Sequence, residues 1–351
     1  MVRIGVIGLG YWGPNLLRCL SAIDDCQVTV LCDRNAERLR RYHAHCPNAV
    51  AVSEADDAID PDLVDAVIVA TPTATHYSLA RQALEAGLHV FVEKPLATRT
   101  AECEELIEIA AAKNLTLFVG HVFLYTAPVA KLKELVEGGD LGDICYISST
   151  RLNLGPVRQD VNALWDLAPH DVSIMLELMG ALPTRVTCTG LAYLNESVHD
   201  VCTLNLHFAS NKMGIIHVSW LDPHKQRVMT VVGNQKMAVY DDLAPLEKIK
   251  VYDIGIEAPT YADSFGDFQF SYRYGDTYSP RIVESEPLKL ECQSFIDAIV
   301  TGAAPRTDGH NGRDVVSVIE AAQRSLENDS HAVAVERRRE SVDAVLVSER
   351  P

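Results

Sequence analysis

The sequence is short of positive charge. Its 351 residues include 31 Lys and Arg against 48 Asp and Glu, which gives a formal net charge of −17 with His neutral. Such a surface would repel the phosphates of a nucleic acid, so sequence-independent nucleic-acid binding is excluded. A small anionic ligand is still compatible with this charge, because a helix N-terminus or a few local Arg and Lys side chains can hold one.

Long apolar runs, a basic leader and paired cysteines are also missing. No stretch reaches 18 uninterrupted apolar residues, so no membrane-spanning helix is expected. The first ten residues, MVRIGVIGLG, do not resemble a secretory signal. Nine cysteines stand singly without CxxC spacing, which is typical of reduced thiols. We therefore expect a cytoplasmic protein. His43 and His45 would face different sides of a helix, and no metal site is expected.

The length and the apolar content predict two globular domains. Aliphatic and aromatic residues make up 48% of the chain, which excludes a disordered or fibrous protein. A chain of this length is typical of two domains, each large enough for its own core. The pattern of the sequence changes near residue 122, which predicts domains at 1–121 and 122–351.

The first half alternates between short β-branched runs and helical stretches. The predicted strands are Val2–Gly8, Val28–Cys32, Ala66–Ala70, His89–Val92 and Thr116–Gly120, and the helices between them are Trp12–Ile23, Ala36–His45, Ser78–Ala86 and Ala101–Lys113. Strands that are apolar on both faces and alternate with helices indicate a parallel sheet covered on both sides. Right-handed crossovers then predict an α/β fold with a doubly wound Rossmann sheet.

The second half reads as an α+β domain. Predicted helices are Ala127–Glu137, Pro169–Leu178, Leu288–Thr301 and Gly312–Glu327, and predicted strands are Ile144–Leu154, Arg185–Ala192, Val201–Phe208, Met213–Trp220, Val228–Val232 and Lys236–Tyr240. Short breaks containing Gly or Asn between these strands are typical of hairpin turns. We expect a mainly antiparallel sheet with helices on one face, and C-terminal helices that can pack back on the first domain.

A glycine-rich motif follows the first predicted strand. Gly8 allows a tight turn, Gly10 lets the backbone approach a pyrophosphate, and Gly13 allows close packing of the next helix. Asp33 follows 20 residues later, at the end of the second strand, where a carboxylate can bind ribose hydroxyls. This pattern predicts a dinucleotide site. Asp33 favours NAD because it would repel a 2′-phosphate, whereas neighbouring Arg34 leaves NADP open.

A lysine stands at the same sheet edge. Glu93-Lys94-Pro95 comes directly after a strand, and ligands of open α/β sheets bind at the carboxyl ends of the strands. Pro95 restricts the backbone of Lys94 to an extended conformation, which helps to fix the direction of its side chain. Thr71-Pro72-Thr73 ends another strand at this edge. By itself Lys94 could be a surface partner of Glu93. The combination of this lysine with the glycine-rich motif and Thr71-Pro72-Thr73 is a specific signal of a functional site.

At this point the sequence resembles the Gfo/Idh/MocA oxidoreductases. The resemblance rests on the residues Gly8–Gly13, Thr71-Pro72 with His76, Glu93–Pro95, Gly120-His121 and Trp165–Asp171. It implies an N-terminal Rossmann domain and a C-terminal domain with an open, mainly antiparallel sheet. In the family that sheet often forms a dimer or tetramer interface, so we expect a homo-oligomer.

The resemblance also implies the catalytic residues. The family's lysine falls on Lys94 and its histidine on His170, with Asp166 one turn earlier as a group that could orient His170. Oxidation of an alcohol by a nicotinamide requires a base for the hydroxyl proton. Pro169 is a good first helical residue, so we expect His170 in the first turn, where the helix dipole keeps its imidazole neutral. His121 is expected near the nicotinamide.

Two sets of residues are predicted to bind ligands. The cofactor set is Gly8, Gly10, Tyr11, Trp12, Gly13, Asp33, Arg34, Thr71, Pro72, Thr73, His76, Glu93, Lys94 and His121. The substrate set is Lys94, Arg151, Asn153, Arg158, Trp165, Asp166, His170 and Arg273. The arginines in the second set suit carboxylate or phosphate, and Asn153 suits a hydroxyl or acetamido group.

The spacing of these substrate residues resembles one branch of the family. That branch oxidises UDP-N-acetylglucosaminuronic acid at C3 of the sugar, and its bound cofactor can be recycled with a 2-oxo acid. Alternatives stay open: an enzyme of the same family for inositol, a free sugar or a deoxysugar nucleotide; a non-catalytic NAD-binding regulatory protein; and a hydrolase that uses bound NAD transiently. The joint presence of Lys94, Asp166 and His170 argues against the non-catalytic alternative.

Overall fold

The computed structural model describes residues 1–155, 157–158, 161–196, 198–257 and 271–338. These residues form two β-sheets, one of six strands and one of nine. Within the described residues, no helix combines the length and the apolar composition that a membrane span requires.

The first sheet is parallel. Its strands are β1 (Val2–Ile7), β2 (Cys26–Cys32), β3 (Val50–Val52), β4 (Ala66–Val69), β5 (His89–Glu93) and β6 (Leu117–Gly120). They lie in the order β3-β2-β1-β4-β5-β6, with every neighbouring pair parallel. The predicted Rossmann sheet is confirmed. The order reverses beside β1, and ligands of doubly wound sheets bind at such a crevice.

Helices cover both faces of the first sheet. They are α1 (Gly13–Leu20), α2 (Ala36–His43), α3 (Ala55–Ala58), α4 (His76–Glu85) and α5 (Thr100–Ala112). Each face has its own buried apolar cluster, and the strand residues between them are buried on both sides. This two-sided burial explains why the strands read as continuous apolar runs rather than alternating ones.

The second sheet is mixed and mainly antiparallel, as predicted. Its strands are β7 (Ile144–Leu154), β8 (Arg185–Leu191), β9 (Val201–His207), β10 (Met213–Ser219), β11 (Leu221–Gly233), β12 (Met237–Asp241), β13 (Ile249–Glu257), β14 (Ser271–Tyr278) and β15 (Val333–Ala334). Their order is β14-β13-β12-β11-β7-β10-β9-β8-β15, and within the described residues of this sheet β7 with β10 is the one parallel pair. Strand β9 alternates between buried and half-buried residues, the pattern of a sheet with one covered face.

Four helices belong to the second half of the chain: α6 (Ala127–Glu137), α7 (Ala163–Met179), α8 (Pro287–Thr301) and α9 (Gly309–Glu327). Helix α7 begins at Ala163, because the side chain of Asn162 accepts a hydrogen bond from the N–H of Trp165 and so caps the helix. The prediction that Pro169 begins this helix is wrong, since Pro169 lies inside it. The helix ends where Gly180 adopts a left-handed conformation (φ 63°).

The two C-terminal helices pack on the first sheet. Phe295 of α8 is fully buried, and its ring centroid lies 5.6 Å from that of Phe91 on β5 and 5.5 Å from that of Phe118 on β6. Helix α9 contributes Val315 to the core of the second sheet and Val316 to that of the first. The end of the chain therefore joins the two sheets through apolar contacts.

A buried acid lies on the same helix. Glu291 of α8 is fully buried, and neither of its carboxyl oxygens has a hydrogen-bond partner among the described residues. Burial raises the pKa of Glu291 well above its usual value, and the nearby charge of Glu93 adds to the shift. The folded protein therefore favours the protonated form of Glu291, because an unpaired buried carboxylate would cost far more than a neutral acid.

We expect Phe295→Ala to lower the free energy of unfolding by about 3–5 kcal/mol, because it leaves a cavity between α8 and the sheet. The matched control is Leu290→Ala on the exposed side of the same helix, which should change stability by roughly 0.5 kcal/mol or less. Denaturant unfolding measures both. Equal effects of the two variants would contradict the packing of α8 on the first sheet.

Glu291 should make the protein less stable as the pH rises. Above about pH 4.5 the unfolded chain releases this proton and the folded chain retains it, so unfolding is favoured by roughly 1.4 kcal/mol for each pH unit. Glu291→Gln cannot ionise and should lose less stability between about pH 5 and pH 8 in denaturant titrations. Glu108→Gln, on the exposed face of α5, is the control. Identical pH profiles for all three proteins would refute the assignment.

Candidate active site

The glycine-rich loop between β1 and α1 is tight at two positions and open at the third. Gly8 has φ +100°, and an added Cβ there would lie 2.6 Å from the carbonyl oxygen of Ala70. An added Cβ at Gly13 would overlap the carbonyl oxygen of Gly8. An added Cβ at Gly10 would meet nothing closer than Nη1 of Arg38, at 3.9 Å. The backbone is therefore accessible at Gly10, which fits the close approach of a pyrophosphate.

Asp33 stands at the end of β2 and holds this loop. Its carboxylate accepts hydrogen bonds from the backbone N–H groups of Leu9 and Asn35, both at 2.7 Å. It keeps further lone pairs, since a carboxylate offers about four acceptor sites. The side chain of Arg34 is 86% exposed and lies 3.9 Å from Glu54. The remaining acceptor sites of Asp33 therefore fit the ribose hydroxyls of a dinucleotide.

Trp12 and Glu93 come together beside the loop, whereas Tyr11 is exposed. Burial raises the pKa of Glu93 to about 7, although contacts with Lys94 and Trp12 oppose the shift. The atom Oε1 of Glu93 is buried without a hydrogen-bond partner among the described residues. Such an orphaned acceptor at the carboxyl edge of the sheet marks space that a polar ligand could fill.

His76 has a structural position rather than an open one. It is buried, and its two ring nitrogens lie 2.8 Å from the carbonyl oxygen of Pro95 and 2.9 Å from that of Thr71. Thr73 is also buried, and Pro72 begins the turn before α4. The expectation that His76 contacts the cofactor is corrected: its ring joins the loop after β4 to the loop after β5.

Lys94 connects the first sheet with α7. Its ammonium Nζ donates a hydrogen bond to the backbone carbonyl oxygen of Asp166, at 2.8 Å. Burial lowers the pKa of Lys94 below its usual value, and the charges of Asp166 and Glu93 oppose that shift only in part. A lysine with a depressed pKa at a sheet edge can both stabilise an alkoxide and exchange a proton.

Two histidines face the same region. His121 is buried, its Nδ1 lies 2.7 Å from the amide oxygen of Asn311, and its Nε2 has no partner in the described part of the chain. Burial lowers the pKa of His121 to about 4. Burial and the charges of Lys94 and Arg151 lower the pKa of His170 well below its usual value. Both imidazoles are therefore neutral at pH 7, and each keeps a nitrogen that can accept a proton.

The origin of the neutral His170 differs from the predicted one. Because α7 begins at Ala163, His170 lies in the second turn, where the helix dipole has little effect. Asp166 does not orient His170 either: its carboxylate accepts from Nη1 of Arg158 at 3.2 Å and from the indole N–H of Trp220 at 3.1 Å. Packing provides the orientation instead, since the His170 ring lies edge-to-face on Phe123 at 4.9 Å.

Arg151 is not the exposed anion donor that the sequence predicted. It is almost fully buried, and its guanidinium donates to both carboxylate oxygens of Asp171, at 2.6 and 3.2 Å. The atom Cζ of Arg151 also lies 4.6 Å from the ring centroid of Phe123. Asp171 accepts a further hydrogen bond from Ser149. Arg151 therefore supports the site from a buried position, with its charge paired to Asp171.

The remaining predicted substrate residues divide into two groups. Arg158 belongs to the site, because its guanidinium donates a hydrogen bond to Asp166. Asn153 contacts the turn at Gly155. Trp165 packs against the apolar cores of both sheets. Arg273 lies on β14, four strands from β7, which is about 19 Å at the usual strand spacing. It pairs with Asp253 there, so a role of Arg273 in this site is corrected.

Sequence reasoning missed Trp220, Asn311 and Phe123 as site residues. Asn311 is separated from His121 by 190 positions, and Trp220 from Asp166 by 54. The alternation along β10 indicates only that Trp220 faces the core. Nothing local connects these residues with the glycine-rich loop or with Lys94.

Two family models match the chain. A model described as an oxidoreductase family with an NAD-binding Rossmann fold matches residues 2–121, and the GFO/IDH/MocA C-terminal domain matches residues 129–239. The residues around Gly10, Asp33 and Glu93 fit the dinucleotide that the first description names.

Individual relatives cover nearly the whole chain. The UDP-N-acetylglucosamine 3-dehydrogenase of Acidithiobacillus ferrooxidans is 27% identical over 90% of this chain and 94% of its own. Its solved structure has a TM-score of 0.78 at 26% identity and covers 93% of this chain and 98% of the other. The myo-inositol 2-dehydrogenase of Thermotoga maritima is 27% identical over 93% of this chain and 96% of its own.

A further solved structure shares the fold. The WlbA dehydrogenase from Bordetella pertussis, in complex with NADH and UDP-GlcNAcA, has a TM-score of 0.78 at 21% identity and covers 96% of this chain and 99% of the other. The two family models together match more than half of the chain and establish the family. The chain belongs to the Gfo/Idh/MocA family of NAD-binding oxidoreductases.

Proposed function

We propose that this protein oxidises a secondary alcohol of a nucleotide sugar, at C3 of a UDP-N-acetylglucosaminuronate or a closely similar sugar, with NAD as hydride acceptor. The observation that carries the proposal is the hydrogen bond from Lys94 to the Asp166 carbonyl, because it brings an ammonium with a depressed pKa and neutral His170 to the dinucleotide edge of the sheet. In this proposal residues 1–121 bind the cofactor and residues 122–351 bind the substrate.

Two of the similar proteins support the choice of a nucleotide sugar. One is named a UDP-N-acetylglucosamine 3-dehydrogenase, and the other was solved with UDP-GlcNAcA. Arg158 supports it as well, because its guanidinium lies beside Asp166 with its side chain about one-third exposed. Directional donors of this kind suit the oxyanions of such a substrate.

The side chains of Lys94 and His170 would stabilise the reacting oxygen and accept the hydroxyl proton. Bound NAD would supply the acceptor for the hydride that leaves the carbinol carbon. Lys94 would donate a hydrogen bond to the alcohol oxygen and stabilise the charge that develops as the O–H bond breaks. Neutral His170 would accept the hydroxyl proton on a ring nitrogen. The products are the ketone, the reduced cofactor and one proton on the protein.

The cofactor site would consist of the loop and the sheet edge. The backbone at Gly10 would face the pyrophosphate, Asp33 would accept the ribose hydroxyls, and Glu93 and His121 would lie near the nicotinamide. The depressed pKa of His121 matters here, because a neutral ring adds no positive charge next to the cationic nicotinamide of NAD.

Assembly into a homodimer or homotetramer is part of the proposal. The edge strand β14 and its neighbour β13 carry five large exposed side chains among the described residues, and the register pairs Ile254 with Tyr274 and Ile256 with Tyr272. An exposed apolar patch of this kind is typical of an interface. A cytoplasmic location stays a prediction from the sequence.

The proposed activity can be tested with a panel of substrates. Purified protein with NAD is given UDP-GlcNAcA, UDP-GlcNAc, myo-inositol or glucose, each with and without a 2-oxo acid, and the products are identified by mass spectrometry. We expect a 3-keto nucleotide sugar even where bound cofactor is recycled without net NADH. Oxidation of myo-inositol or glucose alone would refute the proposal and favour the activity named for the Thermotoga maritima relative.

Lys94→Ala should lower turnover by about a hundredfold or more and leave NAD binding nearly unchanged, since the lysine acts on the reacting oxygen. Steady-state kinetics and calorimetry measure the two quantities. Lys113→Ala, an exposed lysine directly after the last residue of α5, is the control. Near-normal turnover of the Lys94 variant would leave that residue no part in the chemistry.

Wild-type protein should bind NAD more tightly than NADP, because the Asp33 carboxylate repels a 2′-phosphate. Asp33→Ala should weaken NAD binding and reduce the preference, as measured by calorimetry with both cofactors. Asp24→Ala, which removes an exposed carboxylate from the turn before β2, is the matched control. Tighter binding of NADP by the wild type would overturn the cofactor assignment.

A further inference from the structure

A second arginine lies directly opposite Arg151. Strands β7 and β11 are antiparallel, and their register pairs Arg227 with Arg151, as it pairs Met229 with Ser149 two residues further along. Side chains at alternate positions share a face of the sheet, and Ser149, Arg151 and Met229 are all buried beneath α7. Arg227 therefore projects from the covered face, on the side of the sheet where the active site lies.

The two arginines have different surroundings. They line one notch together with Phe123, Asp171, Tyr240 and Asp242. Arg151 is almost fully buried and paired through two of its nitrogens with Asp171. The side chain of Arg227 is 34% exposed, and its one hydrogen bond within the described part of the chain runs from Nη1 to Asp242, at 3.2 Å. A guanidinium has five N–H donors, so most donors of Arg227 remain for a ligand.

Asp242 fixes the position of Arg227 but does not cancel all of the positive charge around the notch. One carboxylate oxygen of Asp242 accepts from Arg227, the other accepts from the hydroxyl of Tyr240 at 2.9 Å, and its backbone carbonyl accepts from Lys248 at 2.7 Å. The notch itself is lined by two arginines, Arg151 and Arg227, and two carboxylates, Asp171 and Asp242. Behind Asp242, Lys248 adds a third cation, and the mostly exposed Glu284 lies 3.8 Å from it. An arginine anchored at one end loses less entropy when it binds an anion.

The notch shares one wall with the catalytic residues. Phe123 forms one wall, and the same ring packs against the imidazole of His170 at 4.9 Å. The positive charges of Arg151 and Arg227 both help to lower the pKa of His170, after burial and Lys94. Arg227 is therefore close enough for its charge to act at His170, while its side chain stays accessible.

We propose that Arg227 is a specificity-determining residue that binds an oxyanion of the substrate, either a sugar carboxylate or a phosphate of the nucleotide. This inference rests on the proposed function, because it assumes an anionic sugar substrate at His170. Charge-assisted contacts to a guanidinium are among the stronger polar contacts in proteins. Arg227 thereby takes the place that the sequence assigned to Arg151.

The test compares Arg227→Ala and Arg227→Lys with the wild type on UDP-GlcNAcA and UDP-GlcNAc. Both nucleotides carry the pyrophosphate, and only the first carries a carboxylate. We expect Arg227→Ala to raise KM about ten- to a hundredfold, with kcat changed less than about threefold, and Arg227→Lys to recover part of the loss. Thermal unfolding and NAD affinity are measured for each protein, and Arg185→Ala, an exposed arginine on β8, is the control.

Each outcome has one meaning. A rise in KM for UDP-GlcNAcA alone identifies the carboxylate as the bound group, and an equal rise for both substrates identifies a phosphate. An unchanged KM for both, or a loss in kcat alone, overturns the role of Arg227 and leaves the proposed function intact. If the wild type oxidises neither nucleotide but oxidises a neutral polyol, both the proposed function and this inference fail.

Discussion

The hydrogen bond between the Lys94 ammonium and the Asp166 carbonyl is the contact on which the site depends. Lys94 comes from the end of β5 in the parallel sheet, and Asp166 comes from α7 over the second sheet. This contact places a lysine from one half of the chain beside His170 from the other. Apolar contacts of α8 and α9 hold the two sheets in the arrangement that the contact requires. Catalytic geometry here is therefore a product of packing between sheets.

Burial controls the charges at the site. The pKa of Lys94 is lowered, those of His121 and His170 are lowered, and that of Glu93 is raised to about 7, and in each case burial is the largest cause. A low-dielectric site makes every remaining charge more effective. In a protein with a net charge of −17, a few enclosed cations can then attract an anionic substrate that the outer surface would repel.

Pairing explains which cations are available to a ligand. Arg151 is enclosed by Asp171, Ser149 and Phe123, and leaving its charge unpaired there would be costly. Arg227 is held by Asp242, Arg158 pairs with Asp166, and the side chain of each is about one-third exposed. An anchored but accessible arginine combines a fixed direction with contact to a ligand. The distribution of acids around the arginines therefore distinguishes a structural guanidinium from one that can bind a substrate.

The sequence by itself determined the parallel sheet, the glycine-rich loop and the positions of Asp33 and Lys94, because each depends on neighbours within one strand–turn–helix unit. The mainly antiparallel character of the second sheet followed from alternation in the same local way. The first residue of α7 could not be predicted in this local way, because Asn162 caps the helix and Pro169 is tolerated inside it. Only the tertiary structure decided that Arg151 is buried, that His76 joins two loops and that Arg273 lies four strands away. Those outcomes depend on which strands and helices become neighbours, and burial and charge pairing arise between residues far apart in the chain.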